Sequence, residues 1–160
     1  QGNTLMTPFH NALLMCAVAN DGVLMKPYVI DHIEGADNTT VKENIPEIYA
    51  DLMSKKDAKK LQKMLREVVT DGTGYSLDTD LYTAAGKTGT AENEGKYAHA
   101  WFVGYSNVED PDLVVCVLVE NTGAGSKYAV PIAKKIFNSY YNNNMKEYYG
   151  EKKNTAQSDE

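Results

Sequence analysis

Residues 82–95, "YTAAGKTGTAENEG", carry Gly-Lys-Thr and Lys-Thr-Gly-Thr in overlap, and each spacing suits a different chemistry. A phosphate loop needs a glycine five residues ahead of the Gly-Lys pair, so that backbone amides wrap the phosphates, and it must open a helix. That position is Leu81, and "TAENEG" runs into a turn and a strand, so the phosphate-loop reading fails twice. The alternative places the motif on a strand lining a cleft. There Lys87 supplies fixed positive charge for an anionic substrate end, and Gly89, two positions on, shares its face and lets a ligand approach the backbone. The hydroxyls and amides of Thr88 and Thr90 can then hold a carboxylate or a developing oxyanion. The tripeptide alone is weak evidence, because it arises by chance and usually marks a turn near a strand.

Such a strand needs elements to hold it. Residues 7–20 predict a helix, with Thr7 as N-cap, Pro8 at the first helical position and Gly22 past its end. From Leu13 to Ala19 it is apolar nearly all round, which predicts burial. "KPYVIDHIE" (26–34) reads as a short strand and residues 35–50 as polar and irregular. Residues 54–70 form the clearest amphipathic helix. Ser54 and Asp57 resemble a capping box, and Ala58, Leu61, Met64, Leu65, Val68 and Val69 form the apolar stripe. Lys55, Lys56, Lys59, Lys60, Lys63 and Arg66 cover the other side as a solvated face. "DGTG" (71–74) stops this helix.

Strands are expected over about 82–91, 97–106 and 112–120, joined by short turn-rich links as an antiparallel meander. A last helix is expected over about 128–142, with Ala129, Ile132, Ala133, Ile136, Phe137 and Tyr140 inward and Pro131 in its first turn. The fold class is therefore α+β, three consecutive C-terminal strands in an antiparallel sheet flanked by helices. Residues 1–141 make the domain, and 142–160 read as a polar, disordered tail.

Composition narrows the function. A formal charge of −6 argues against a nucleic-acid partner. The longest apolar runs, 12–19 and 113–119, are too short to cross a bilayer. Cys16 and Cys116 sit in apolar runs and read as buried free thiols, a disulfide between them being open. His10, His32 and His99 show no metal-ligand spacing, so no metal and no cofactor are expected.

Lys-Thr-Gly is also the third signature of the serine penicillin-recognising enzymes. "AAGKTGTAE", then "HAWFVGYS", then "VLVENTGAGSKYAVPIAKKIF" closely resembles the C-terminal half of class B penicillin-binding proteins, the D,D-transpeptidases of cell-wall synthesis. "QGN…MTPFHNALLMCAVANDGVLMKPY" and "VVTDGTG" resemble further stretches of that family, in the correct order over roughly 1–140. The resemblance implies a partial penicillin-binding transpeptidase fold in which Lys87, Thr88, Gly89 and Thr90 edge the active site. Lys87 would help poise the proton network. Thr88 and Thr90 would bind the terminal carboxylate of a D-Ala-D-Ala stem peptide, or of a β-lactam mimicking it, and the Thr90 amide would be an oxyanion donor. Trp101 is expected as core packing and Gly123 and Gly125 as turn formers. The site would lie at the extracytoplasmic face of the bacterial membrane, with the anchor outside this chain.

The same family needs a serine nucleophile in Ser-x-x-Lys. None of the six serines, Ser54, Ser76, Ser106, Ser126, Ser139 and Ser158, has a lysine three residues on, and none begins Ser-x-Asn. "YSN" (105–107) looks like a Tyr-x-Asn variant but falls after Lys-Thr-Gly, and reads as strand-end turn chemistry. The expectation is therefore part of a larger transpeptidase domain, inactive alone, with the remainder of that domain as partner, apolar surface exposed and a strand edge open. The alternatives are a non-catalytic penicillin-sensing module and a serine β-lactamase relative.

Overall fold

The computed structural model describes residues 4–142. Three helices and seven strands follow in the order α1 (Pro8–Ala19), β1 (Val23–Met25), β2 (His32–Glu34), β3 (Thr40–Glu43), β4 (Ile48–Asp51), α2 (Lys55–Thr70), β5 (Ala84–Ala91), β6 (His99–Ser106), β7 (Leu113–Val119) and α3 (Gly125–Asn142). A 3-10 turn at Tyr75–Leu77 links α2 to β5.

The centre is the antiparallel meander β5-β6-β7, as expected. Alternation along its strands sends two sets of side chains to opposite faces. On one face Ala84, Ala100, Phe102, Val115 and Val117 pack against Ala129, Val130, Ala133 and Phe137 of α3. On the other, Ala85 and Tyr105 meet Met15 and Ala19 of α1, with Leu65 of α2 at the margin. Tyr82 stacks on Tyr141 at a 5.1 Å centroid separation, and the Tyr141 hydroxyl donates to Asp112 Oδ1 at 2.8 Å, tying the end of α3 to the start of β7.

The helix starts follow their sequence signals. The Thr7 hydroxyl accepts from the His10 amide, and Ser54 Oγ accepts from the Asp57 amide at 3.2 Å. Ser54 then donates to the Asp57 carboxylate at 2.8 Å, where a capping box would send the carboxylate back to the cap amide. Burial of α1 is less complete than predicted: Met15, Ala17 and Ala19 are buried, Leu13, Cys16 and Val18 are partly covered, and Phe9 and Leu14 are exposed.

Several expectations need correction. Residues 35–50 are not irregular, and 26–34 is not one strand. β1 pairs with β4 and β2 with β3 in two antiparallel ribbons, each with a register irregularity. Short bulged strands rich in charge hide the two-residue period that would announce them. Helix α3 begins at Gly125, so Pro131 lies inside it rather than in its first turn, and Asn142 is helical rather than part of a tail. Residues 143–160, the rest of that expected tail, lie outside the described residues. On α3, Ile132 (39% exposed) and Ile136 (40%) do not join the inward stripe, where Val130 is buried instead. On α2, Leu61 (38%) and Met64 (59%) are likewise uncovered, and Gln62 is buried in their place. Its amide donates to the Val18 carbonyl at 2.8 Å, using an acceptor left over at the end of α1. Cys16 and Cys116 are free and only half-buried.

The basic face of α2 is partly consumed within the chain. Lys55 and Lys59 reach Asp21 at 2.8 and 2.9 Å, Lys60 reaches Asp57, and Arg66 reaches Asp78 at 3.0 Å. Asp21 sits at φ 54° just past α1, and these two lysines pull its carboxyl down to about 2.

Candidate substrate-carboxylate site on the outer strand

The Lys-Thr-Gly-Thr stretch occupies the second half of β5, one of the two outer strands of the sheet. Its first half, Ala84, Ala85 and Gly86, is buried, and Lys87 and Thr90 are exposed. Burial thus changes along one strand: small residues enter the core, then the polar motif emerges at the surface.

Hydrogen bonds locate the open edge of the strand. The Asn107 amide donates to the Thr83 carbonyl at 2.7 Å, so residue 83 faces β6. In an antiparallel ladder backbone groups alternate between the paired and the outer side. Residues 84, 86, 88 and 90 therefore present their amides and carbonyls outward. Two contacts agree: the Ala84 carbonyl accepts from Arg66 Nη1 at 2.9 Å, and the Thr88 carbonyl accepts from Lys87 Nζ at 2.7 Å. The Thr90 amide points to the same edge. An ammonium, two threonine hydroxyls and an outward amide thus lie along four consecutive residues.

Gly89 has Trp101 directly across on β6, and a Cβ there would come 3.1 Å from Trp101 Cβ. Trp101 is half-buried on the face that Lys87 and Gly89 share, outside both core clusters. From the other face, Gly125 is pressed onto this pair. A Cβ at Gly125 would run into the carbonyl oxygens of Trp101 and Gly89. Its amide reaches Thr90 Oγ1 at 3.4 Å. Gly125 is thus the first residue of α3 seated on the motif strand, while Gly123, at φ 119°, makes the turn before it.

Thr73 touches the motif and Arg66 touches the start of its strand, and nothing in their spacing singled them out. Thr73, in the "DGTG" loop, places its hydroxyl 2.6 Å from that of Thr88. Arg66, read only as part of a charged face, bonds the strand at Ala84 and is braced by Asp78. The "YSN" segment does behave as turn chemistry. Asn107 stands at φ 59°, its amide group donates to the Asp110 carbonyl at 2.8 Å, and Ser106 donates to Asp112. Tyr105 is fully buried, and its hydroxyl finds no partner among the described residues. Burial pushes that phenol up to about 12.

No group of three His, Cys, Asp or Glu among the described residues is placed to hold a metal ion. No described helix is long and apolar enough to cross a membrane.

A family model described as the penicillin binding protein transpeptidase domain matches residues 1–138. The peptidoglycan D,D-transpeptidase PbpA of Mycolicibacterium smegmatis is 32% identical over 145 residues, covering 84% of this chain and 29% of that protein. The peptidoglycan D,D-transpeptidase MrdA of Haemophilus influenzae is 34% identical over 166 residues, covering 91% of this chain and 25% of that protein. Among solved structures, penicillin-binding protein A from M. tuberculosis, as an imipenem acyl-enzyme complex, superposes with a TM-score of 0.79 at 28% identity, over 87% of this chain and 32% of that one. The D,D-transpeptidase domain of a peptidoglycan glycosyltransferase from Eggerthella lenta superposes with a TM-score of 0.70 at 33% identity, over 81% and 32%. The chain spans less than a third of the length of each of these relatives.

Proposed function

We propose, from the premise that this chain belongs to the penicillin-binding protein transpeptidase family, that it forms the carboxylate and oxyanion wall of a serine D,D-transpeptidase acting on peptidoglycan. The observation that carries this is the outer edge of β5, where Lys87, Thr88 and Thr90 emerge from a buried strand start. Lys87 attracts the anionic terminus of a D-Ala-D-Ala stem peptide, or of a β-lactam in its place. Thr88 and Thr90 donate hydroxyl hydrogen bonds to that carboxylate, and such charge-assisted bonds are about twice as strong as neutral ones. The Thr90 amide, aimed at the edge, stabilises the oxygen that becomes negative when the scissile carbonyl is attacked. Lys87 supports the proton traffic of that attack from the same wall.

The attacking serine is supplied from outside this chain, whose six serines lack both Ser-x-x-Lys and Ser-x-Asn. Base, nucleophile and oxyanion donors act as a unit, so one wall without the nucleophile transfers nothing. The rest of the transpeptidase domain is accordingly this chain's partner, and the site works at the extracytoplasmic face of the membrane.

Two measurements test this. Fluorescent penicillin followed by denaturing electrophoresis should leave the chain unlabelled, and a labelled band at its mass overturns the statement that it is inactive alone. Titration of the isotopically labelled chain with an N-acylated D-Ala-D-Ala should move the amide signals of residues 87–90, whereas the C-terminal amide of the same dipeptide should not. Equal responses to both overturn the carboxylate wall.

A further inference from the structure

Thr73 lies fifteen residues before Thr88, outside the Lys-Thr-Gly-Thr motif, yet the two hydroxyls approach to 2.6 Å. Each hydroxyl has one proton to give and lone pairs to receive. A single contact between them therefore has a direction, and a ligand decides which. A carboxylate only accepts. Once Thr88 gives its proton to a carboxylate, its contact with Thr73 persists only if Thr73 is the donor. The geometry points to Thr73 as the positioning residue that holds Thr88 Oγ1 in place and polarises it for donation to an anionic ligand. This deepens, and rests on, the carboxylate reading of residues 87–90.

Thr73 is exposed, but the loop under it is fixed. The Gly74 amide donates to the Val68 carbonyl at 2.8 Å, and the Tyr75 amide donates to Gly72 at 3.1 Å. A Cβ at Gly72 would come 2.8 Å from the Val68 carbonyl oxygen, so the loop folds tightly onto the end of α2. The helix is pinned to the strand at a second point, where Arg66 Nη1 meets the Ala84 carbonyl at 2.9 Å. Arg66–Ala84 and Thr73–Thr88 are two rungs between one helix-loop unit and one strand edge. The first fixes where β5 enters the core. The second reaches the motif itself, at a side chain of the same strand parity. Thr73 touches no ligand in this scheme, and its effect passes through Thr88.

The test uses the whole chain, at concentrations below self-association, as Thr73→Val and Thr73→Ser. Valine keeps the shape and removes the hydroxyl, and serine keeps the hydroxyl. In the unsubstituted chain, three-bond couplings from the Thr88 methyl carbon should report a single χ1 rotamer. Thr73→Val should average those couplings while leaving the Gly72 and Gly74 amide signals in place, and Thr73→Ser should restore them. Affinity for N-acylated D-Ala-D-Ala should fall about fivefold in Thr73→Val, a loss typical of one hydrogen bond, and less than about twofold in Thr73→Ser. Unchanged Thr88 couplings in Thr73→Val overturn the inference. Couplings that average and recover as described, with no preference for the carboxylate over the amide ligand in any variant, leave Thr73 as the positioner of Thr88 and overturn the carboxylate reading instead.

Discussion

Residues 84–142 and residues 23–51 draw on similar apolar side chains and treat them in opposite ways. In the first region Phe102, Val130, Ala133 and Phe137 lose all contact with solvent. In the second Val29, Ile30, Val41, Ile45, Ile48 and Tyr49 remain exposed. The difference is one of layers. The meander β5-β6-β7 has α3 on one face and α1 with α2 on the other, so both sets of alternating side chains find a partner. The ribbons β1-β4 and β2-β3 are two-stranded and bulged, and isolated two-stranded ribbons are marginal in water. Leu24 of β1 is buried where that strand meets α1, and the side-chain bonds on the ribbons are polar: Lys26 with Glu47 at 3.1 Å, Asn44 donating to the Ile30 carbonyl, and His32 between Asp31 and Glu34. Apolar content alone makes no core; a second layer must lie across it.

The largest blow to this contrast falls on the covered side. Phe137→Ala should cost about 3–5 kcal/mol, the usual loss for emptying a buried aromatic site, read as a fall in urea midpoint. A loss below about 1 kcal/mol would mean that α3 is not a true second layer. Ile45→Ser, in the uncovered region, should change stability by less than about 0.5 kcal/mol, because nothing is uncovered further. The same substitution should reduce self-association by sedimentation, since exposed apolar area of this kind promotes it. A large destabilisation would show that the ribbon does belong to a core.

The smallest effect is local and depends on pH. Both carboxylates beside His32, Asp31 first and then Glu34, raise its pKa above the ordinary histidine value. A raised folded pKa means that the protonated ring stabilises the ribbon fully below the unfolded value of about 6.5, and that this support fades as pH rises through the higher folded value. Amide protection in β2 and β3, corrected for the intrinsic pH dependence of exchange, should therefore weaken across that window. The global unfolding midpoint should show no matching step. His32→Gln should flatten the local profile, and a global step that His32→Gln abolishes would tie the ribbon to the core after all.

Legibility in the sequence followed the same division. The meander was readable because "HAWFVGYS" and "DLVVCVLVE" are strand-forming runs separated by turn residues, and the starts of α1 and α2 because Thr7 and Ser54 are caps followed by helical periodicity. The ribbons were not, since "HIE" and "TVKE" are too short and too charged to show alternation. The stripes on α2 and α3 were readable as periodic but not as buried. Leu61, Met64, Ile132 and Ile136 obey the helical period and stay exposed, because periodicity reports a face and not what covers it.

The motif itself divides in the same way. Residue order alone excluded a phosphate loop, set Lys87, Thr88, Gly89 and Thr90 on one strand, and showed that no Ser-x-x-Lys accompanies them. These are properties of adjacent residues, governed by local backbone geometry and side-chain chemistry. Only the tertiary structure decided that β5 is an outer strand, that its even-numbered residues turn their backbone groups outward, and that Gly125 must lack a side chain to seat α3 on it. Only it brought Thr73 to Thr88 and Arg66 to Ala84. Such contacts join residues distant in the chain whose approach depends on how helices pack on a sheet, and no short stretch of sequence records that.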